Sequence, residues 1–129
     1  MDFPRDLRYS KTHEWARRGD KKIIVGITEY AQKELSDVVF VELPQVGREV
    51  KQAKPCAVVE SVKAAFDIYA PVSGKVTAVN RELEPHPALI NTDPYGAGWF
   101  FEIAPSNVEE FLELMDAEKY ESAIHEGAS

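Results

Sequence analysis

The chain has one cysteine, Cys56, so no intrachain disulfide can form and packing alone must hold the fold. That residue reads as a small hydrophobe inside a strand. Histidine is scarce as well. His13, His86 and His125 are scattered without ligand-like spacing, which excludes a zinc site. No apolar run approaches the ~20 residues that cross a bilayer. Positive charge is in deficit: 15 Lys and Arg face 22 Asp and Glu, for a net charge of −7, and no basic cluster stands out. That balance argues against nucleic-acid and anionic-membrane partners. The opening Met-Asp-Phe-Pro-Arg-Asp-Leu-Arg carries acids and lacks the apolar core of a secretory signal. It also lacks the Arg-rich, acid-poor character of a transit peptide, so a bacterial cytoplasmic protein is expected. A mitochondrial one is expected only if a transit peptide has been removed.

What is present is a series of short strands. Length and an unbroken composition imply one domain over 1–129. Leu7-Arg8-Tyr9 and Thr12 to Arg17 read as a first strand, with Tyr9, His13 and Trp15 on one parity. Arg18-Gly19-Asp20 turns into a second strand, Lys22 to Ile27. Thr28 is placed to cap a short helix near 28–35 whose buried stripe is Ala31 and Leu35. Strands are expected at Val38–Leu43, stopped by Pro44, and at Glu49-Val50, Lys75–Asn80 and Trp99–Ile103. Pro85, Pro87, Pro94, Gly96 and Gly98 make 81–98 mostly loop. A C-terminal helical segment over about 106–125 is expected, its helix running from 106 to 124. A Ser106–Glu109 capping box would open it, Val108, Phe111, Leu112 and Met115 would form its apolar face, and Asp116 would cap a further turn. Val39, Val41, Val58, Ile68, Val76 and Phe101 are the expected core. The pattern predicts a mainly β fold, a small sandwich or barrel with helices at its edges.

One stretch carries chemistry. Pro55 to Val59 and Phe66 to Ala70 are β-rich runs, and the residues between them are too few for a helix and its loops. A hairpin over about 55–74 follows, with Lys63 at its tip and a second turn at Pro71-Val72-Ser73-Gly74. On spacing alone, a lysine there is a solvated cation.

The string Glu60-Ser61-Val62-Lys63-Ala64, followed by Asp67 and Ala70-Pro71-Val72-Ser73-Gly74, resembles the lipoyl-attachment hairpin of the H proteins of the glycine cleavage system. Biotin carriers usually flank the lysine with methionines, where this chain has Val62 and Ala64. Lipoyl domains of 2-oxo-acid dehydrogenases usually have Asp in the place of Val62. The resemblance extends over most of the chain. It takes in His13-Glu14-Trp15, Val25 to Gln32, Val39 to Pro44, Leu89-Ile90-Asn91, Asp93-Pro94-Tyr95-Gly96 and Gly98-Trp99. Phe66, Cys56 and Glu34 depart from the family's usual residues; Glu34 stands where some members carry histidine.

The resemblance implies a lipoyl/biotinyl-like barrel-sandwich hybrid. It implies a carrier rather than an enzyme, with lipoic acid joined by an amide to Lys63, one per chain. The arm would take the aminomethyl group from a pyridoxal-phosphate glycine decarboxylase (P protein) to a tetrahydrofolate-dependent aminomethyltransferase (T protein). A dihydrolipoyl dehydrogenase (L protein) would then reoxidise the dithiol. A lipoate ligase or lipoyl transferase would load the lysine, reading Glu60, Ser61, Val62, Ala64 and Asp67 around it. Glu60 and Asp67 would equally serve to keep the tip soluble. The family's loaded arm folds back near the first strand and the short helix, which implies a cleft of Thr12, Glu14, Ile27, Glu34, Leu35 and Asp67. Glu14 is the first choice for the ammonium end. Two other readings stay open. One is a relay that donates lipoyl or octanoyl groups to other lipoyl domains. The other is an enzyme using Lys63 as a Schiff-base nucleophile, which would want a desolvated lysine beside a cation or a base rather than an exposed tip among carboxylates.

Overall fold

A computed structural model of the protein describes residues 1–125. It is mainly β, with two antiparallel sheets and short helices at their margins. The larger sheet runs β1 (Arg8–Tyr9), β2 (Glu14–Gly19), β3 (Lys22–Ile27), β9 (Phe101–Pro105), β8 (Gly74–Val79), β5 (Glu49–Val50). The smaller runs β4 (Val38–Glu42), β6 (Pro55–Ser61), β7 (Ala65–Tyr69). Val25, Val59, Val72, Phe100, Phe101 and Ile103 are fully buried between these layers, while Trp15 is buried in a second cluster with Leu7, Tyr9, Ala117 and Tyr120. Among the described residues no buried side-chain nitrogen or oxygen lacks a hydrogen-bond partner.

The expected first strand is two strands. Leu7–Tyr9 and the run after Thr12 are not continuous, because Ser10 to His13 reverses the chain: the Ser10 carbonyl accepts the His13 N–H at 3.2 Å, with His13 at φ 75°. β1 then pairs back on β2, so Tyr9 sits opposite Trp15 rather than along the strand from it. The hairpin β2–β3 and the helix α1 (Glu29–Leu35) form as expected, with the Thr28 side chain accepting the Ala31 N–H at 3.2 Å. Glycine is required at position 26. A Cβ there would lie 2.5 Å from the buried Trp15 ring.

Two expected core residues lie elsewhere. A bulge between Val38 and Phe40 adds Val39 to β4, which turns Val38 and Val41 inward and leaves Val39 and Phe40 half exposed. Val58 alternates with fully buried Val59, so it faces the outer side between Glu42 and Asp67. Val41, Ile68, Val76 and Phe101 are buried as expected. The 81–98 segment is more ordered than its prolines suggest: it holds a 3-10 turn, Arg81–Leu83, and a short helix, α2 (Leu89–Thr92). Asn91 on α2 fastens that loop to the core. It accepts the Val38 N–H at 2.9 Å and donates to the Ser36 carbonyl at 2.8 Å.

The expected C-terminal helix is broken. α3 (Glu109–Leu112) and α4 (Ala117–His125) flank an extended Met115 that exchanges two backbone hydrogen bonds with Tyr9, 2.8 and 2.9 Å long. A continuous helix would forfeit that pairing. The capping box is not formed: the Asn107 side chain, not Ser106, accepts the Glu109 N–H. Val108 and Leu112 are exposed, and Phe111 alone of the expected apolar face is fully packed. Asp116 caps α4 through the Lys119 N–H.

Because Trp15 cannot retreat from Gly26, Gly26→Ala should destabilise the fold by about 1–3 kcal/mol. Urea unfolding compared with wild type checks this.

Candidate functional site

The hairpin tip is built by Ser61. Its hydroxyl accepts the Lys63 N–H at 3.1 Å and the Ala64 N–H at 3.3 Å, while its own N–H reaches the Ala64 carbonyl at 2.9 Å. The Val62 N–H donates to the Asp37 carbonyl at 3.0 Å, tying the tip to the entry of β4. Backbone order at the tip therefore owes nothing to the lysine side chain. Lys63 is exposed, as are Val62, Ala64 and Glu60, whereas Ser61 is buried.

Beside β7 lies a cleft of about 220 Å³. Thr12 and His13 from the first turn, Ile27 from β3, and Tyr30, Ala31, Glu34 and Leu35 from α1 form one wall. Val59, Phe66, Asp67 and Ile68 from the hairpin form the other. Asp67 lies four residues from Lys63, at most ~13 Å along a strand. Thr12, Ile27, Glu34, Leu35 and Asp67 are thus brought together, although they are spread over four elements. Apolar side chains make the floor, and the Glu34 and Asp67 carboxylates are both on exposed residues at its edge.

Glu14 is not among the lining residues, contrary to its expected place at the ammonium end. It is 1% exposed, and its oxygens are occupied. One accepts from the hydroxyls of Ser10, at 2.5 Å, and Thr12; the other accepts the Tyr69 N–H at 3.0 Å. Since β2 belongs to the larger sheet and β7 to the smaller, this carboxyl joins the two. Burial pushes it up to about 7, against the downward pull of the Ser10, Thr12 and Tyr69 hydrogen bonds.

Tyr30, which sequence reasoning left unplaced, and His13, expected on the first strand with Tyr9 and Trp15, stand on the cleft wall with their rings 4.9 Å apart. Tyr30 precedes Glu34 by one helical turn, a spacing that would have assigned both to one face. Nothing in the sequence signals the left-handed turn that aims His13 there. Behind it the Tyr120 hydroxyl, from α4, lies 2.8 Å from His13 Nδ1 and 2.7 Å from the Thr28 hydroxyl. Burial pulls the His13 imidazole below its ordinary range, although Glu34 opposes this. Among the described residues no group of three or more His, Cys, Asp or Glu is placed to hold a metal.

A family model described as glycine cleavage H-protein matches residues 7–127. The chain belongs to the glycine cleavage H-protein family. It is 52% identical over 128 residues to the glycine cleavage system H protein of Thermus thermophilus, covering 99% of this chain and all of that one. It is 56% identical over 126 residues to the H protein of Shewanella loihica, covering 97% and 98%. A crystal structure of the H protein from Mycobacterium marinum superposes with a TM-score of 0.86 at 40% identity, covering 96% and 98%.

Two departures from the usual H-protein residues now have places. Phe66 is a half-exposed wall of the cleft. Cys56 is buried in β6, 5% exposed, and burial pushes its thiol up to about 12.

The Glu14 carboxyl is raised above its ordinary value of 4.5. The folded state therefore binds its proton more tightly than the unfolded state. The stability so gained is complete below about pH 4.5 and is lost as the pH climbs through about 7. Between pH 5 and 8, wild type should lose on the order of 2 kcal/mol more than Glu14→Gln. Urea unfolding of both proteins at each pH checks this; parallel losses would mean an ordinary carboxyl.

Proposed function

We propose that the protein is a non-catalytic carrier whose Lys63 takes one lipoyl group through an amide and presents it in turn to the enzymes of the glycine cleavage system. The observation that carries the reading is the pairing of an exposed, rigidly framed lysine with a cleft one strand's reach away. The lipoyl group, when attached, supplies a disulfide that accepts the aminomethyl unit and is afterwards reoxidised. The chain's own residues supply access, a resting place and charge.

The residues fit such a group. An apolar floor of Ile27, Leu35, Val59 and Ile68 suits a thioalkyl chain, and Phe66 closes one side. Glu34 and Asp67 are the carboxylates that face the cleft, so they rather than Glu14 would receive a cationic amine. Glu14 instead holds the Thr12 hydroxyl and the β7 backbone in place. Ser61 presents the lysine, while Glu60, Val62, Ala64 and Asp67 surround it for the ligase or lipoyl transferase to read. Half-exposed Val39 and Phe40 lie beside the strand end that carries the tip, and with Val62 they give a partner an apolar grip. The partners would be the decarboxylase, the aminomethyltransferase and the dihydrolipoyl dehydrogenase. A relay that only hands its acyl group to other lipoyl domains needs the tip and not the cleft, so the cleft favours carriage of a reactive load. A Schiff-base lysine would want burial, which Lys63 lacks. Among the described residues no helix is long and apolar enough to cross a membrane.

Lys63→Arg should fold like wild type, because the tip hydrogen bonds are made by Ser61, yet gain no mass on incubation with a lipoate ligase. A lipoyl group on that variant, or on another lysine of wild type, would exclude Lys63 as the sole site. Glu34→Gln and Asp67→Asn should each shorten the half-life of the isolated aminomethyl carrier. Both carboxylates are partly solvated, so the expected change is about two- to fivefold. Unchanged half-lives for both would remove the cleft from the function.

A further inference from the structure

The hydrogen-bond chain Thr28–Tyr120–His13 reaches the cleft from behind, and its direction can be worked out. Thr28 is fully buried, and its hydroxyl oxygen already accepts the Ala31 N–H. The contact left for its own hydrogen is the Tyr120 oxygen, 2.7 Å away. Tyr120 is 1% exposed, and among the described residues its hydroxyl hydrogen-bonds only with Thr28 and His13. If Thr28 donates to Tyr120, then Tyr120 donates to His13 Nδ1, and every hydrogen in the chain is used. The opposite direction would have Nδ1–H donate to Tyr120 and Tyr120 donate to Thr28. That would strand the Thr28 hydroxyl hydrogen in a dry interior, which folded proteins avoid. The imidazole that satisfies the chain is therefore neutral, with its hydrogen on Nε2. Protonating Nδ1 forces the stranded arrangement.

Tyr120 is itself held firmly. Its ring stacks on Tyr9 at 4.6 Å and 8°, and Phe3 meets it edge-on at 5.5 Å. The groups facing His13 from its surroundings are Glu34 and Tyr30 on α1, Asp67 across the cleft on β7, and Tyr120 on α4. With His13 neutral, the two carboxylates are the charges of the cleft. With His13 protonated, an internal cation would satisfy Glu34 and compete with a cationic load.

We infer that Tyr120 is a positioning residue of the carrier: through its hydroxyl, α4 keeps His13 a neutral Nδ1 acceptor and so reserves Glu34 and Asp67 for the ammonium end of the loaded arm. This rests on the cleft reading above. It also gives the C-terminal helix, which lines no part of the cleft, a part in holding the load.

The test has two independent readouts. Nitrogen NMR of histidine-labelled, unlipoylated wild type reports the tautomer without any variant. Nδ1 should be unprotonated and Nε2 protonated near neutral pH. In Tyr120→Phe, which keeps the ring packing, the His13 titration midpoint should rise by about one pH unit, a tenfold easier protonation. The second readout is the half-life of the aminomethyl-loaded carrier across pH 6–8. Tyr120→Phe should release its load faster at the acidic end and converge on wild type at the alkaline end. A wild-type His13 with its proton on Nδ1, or a midpoint that Tyr120→Phe leaves unmoved, overturns the inference. A shifted midpoint with identical release at every pH overturns the cleft reading itself, and the retention role with it.

Discussion

The Glu14 carboxyl is the interaction on which the rest depends. It sits where the first turn, β2 and β7 meet, and it is the buried acid that links the larger sheet to the smaller. Each partner gives up a hydrogen to it: two hydroxyls from the turn and one backbone N–H from the hairpin strand. A single acceptor pair thereby fixes the distance between the two walls of the cleft. The desolvation it suffers is severe, yet removing the acid would leave three donors facing one another without an acceptor. The turn it braces is also the one that places His13 in the left-handed region, so the same group supports the wall's least relaxed backbone.

Around that brace the charges divide their work. Glu14 is enclosed and structural, while Glu34 and Asp67 face solvent and the cleft. Their identical chemistry is separated by burial alone. The sequence around Glu14, Glu34 and Asp67 cannot tell them apart. Burial of Glu14 depends on the β6–β7 hairpin of the second sheet arriving from residues 55–69, far along the chain.

Strand periodicity and turn residues made most of the strands legible, and they located the hairpin with Lys63 between β6 and β7. Local rules failed where a distant partner decides. The extended Met115 is dictated by Tyr9, more than a hundred residues earlier, so helical spacing alone joined α3 to α4. The inward or outward choice for Val39 is set by one extra residue in β4, which a period of two cannot reveal. Ordering of the proline-rich 81–98 segment depends on Asn91 reaching back to Ser36 and Val38. Of the candidate site, the lysine tip and five of the wall positions emerged through family resemblance. Tyr30 was within reach through its helical spacing to Glu34, whereas the wall places of His13 and Phe66 needed the fold.

The burial of Cys56 has a chemical consequence for a carrier of this kind. Thiol–disulfide exchange proceeds through a thiolate, and a thiol pushed up to about 12 keeps its proton at any physiological pH. A chain that bears a reactive disulfide on a mobile tether brings that disulfide repeatedly near its own surface. Enclosed in β6, the lone thiol of this chain is a poor nucleophile, and a disulfide carried on such a tether would stay free to leave.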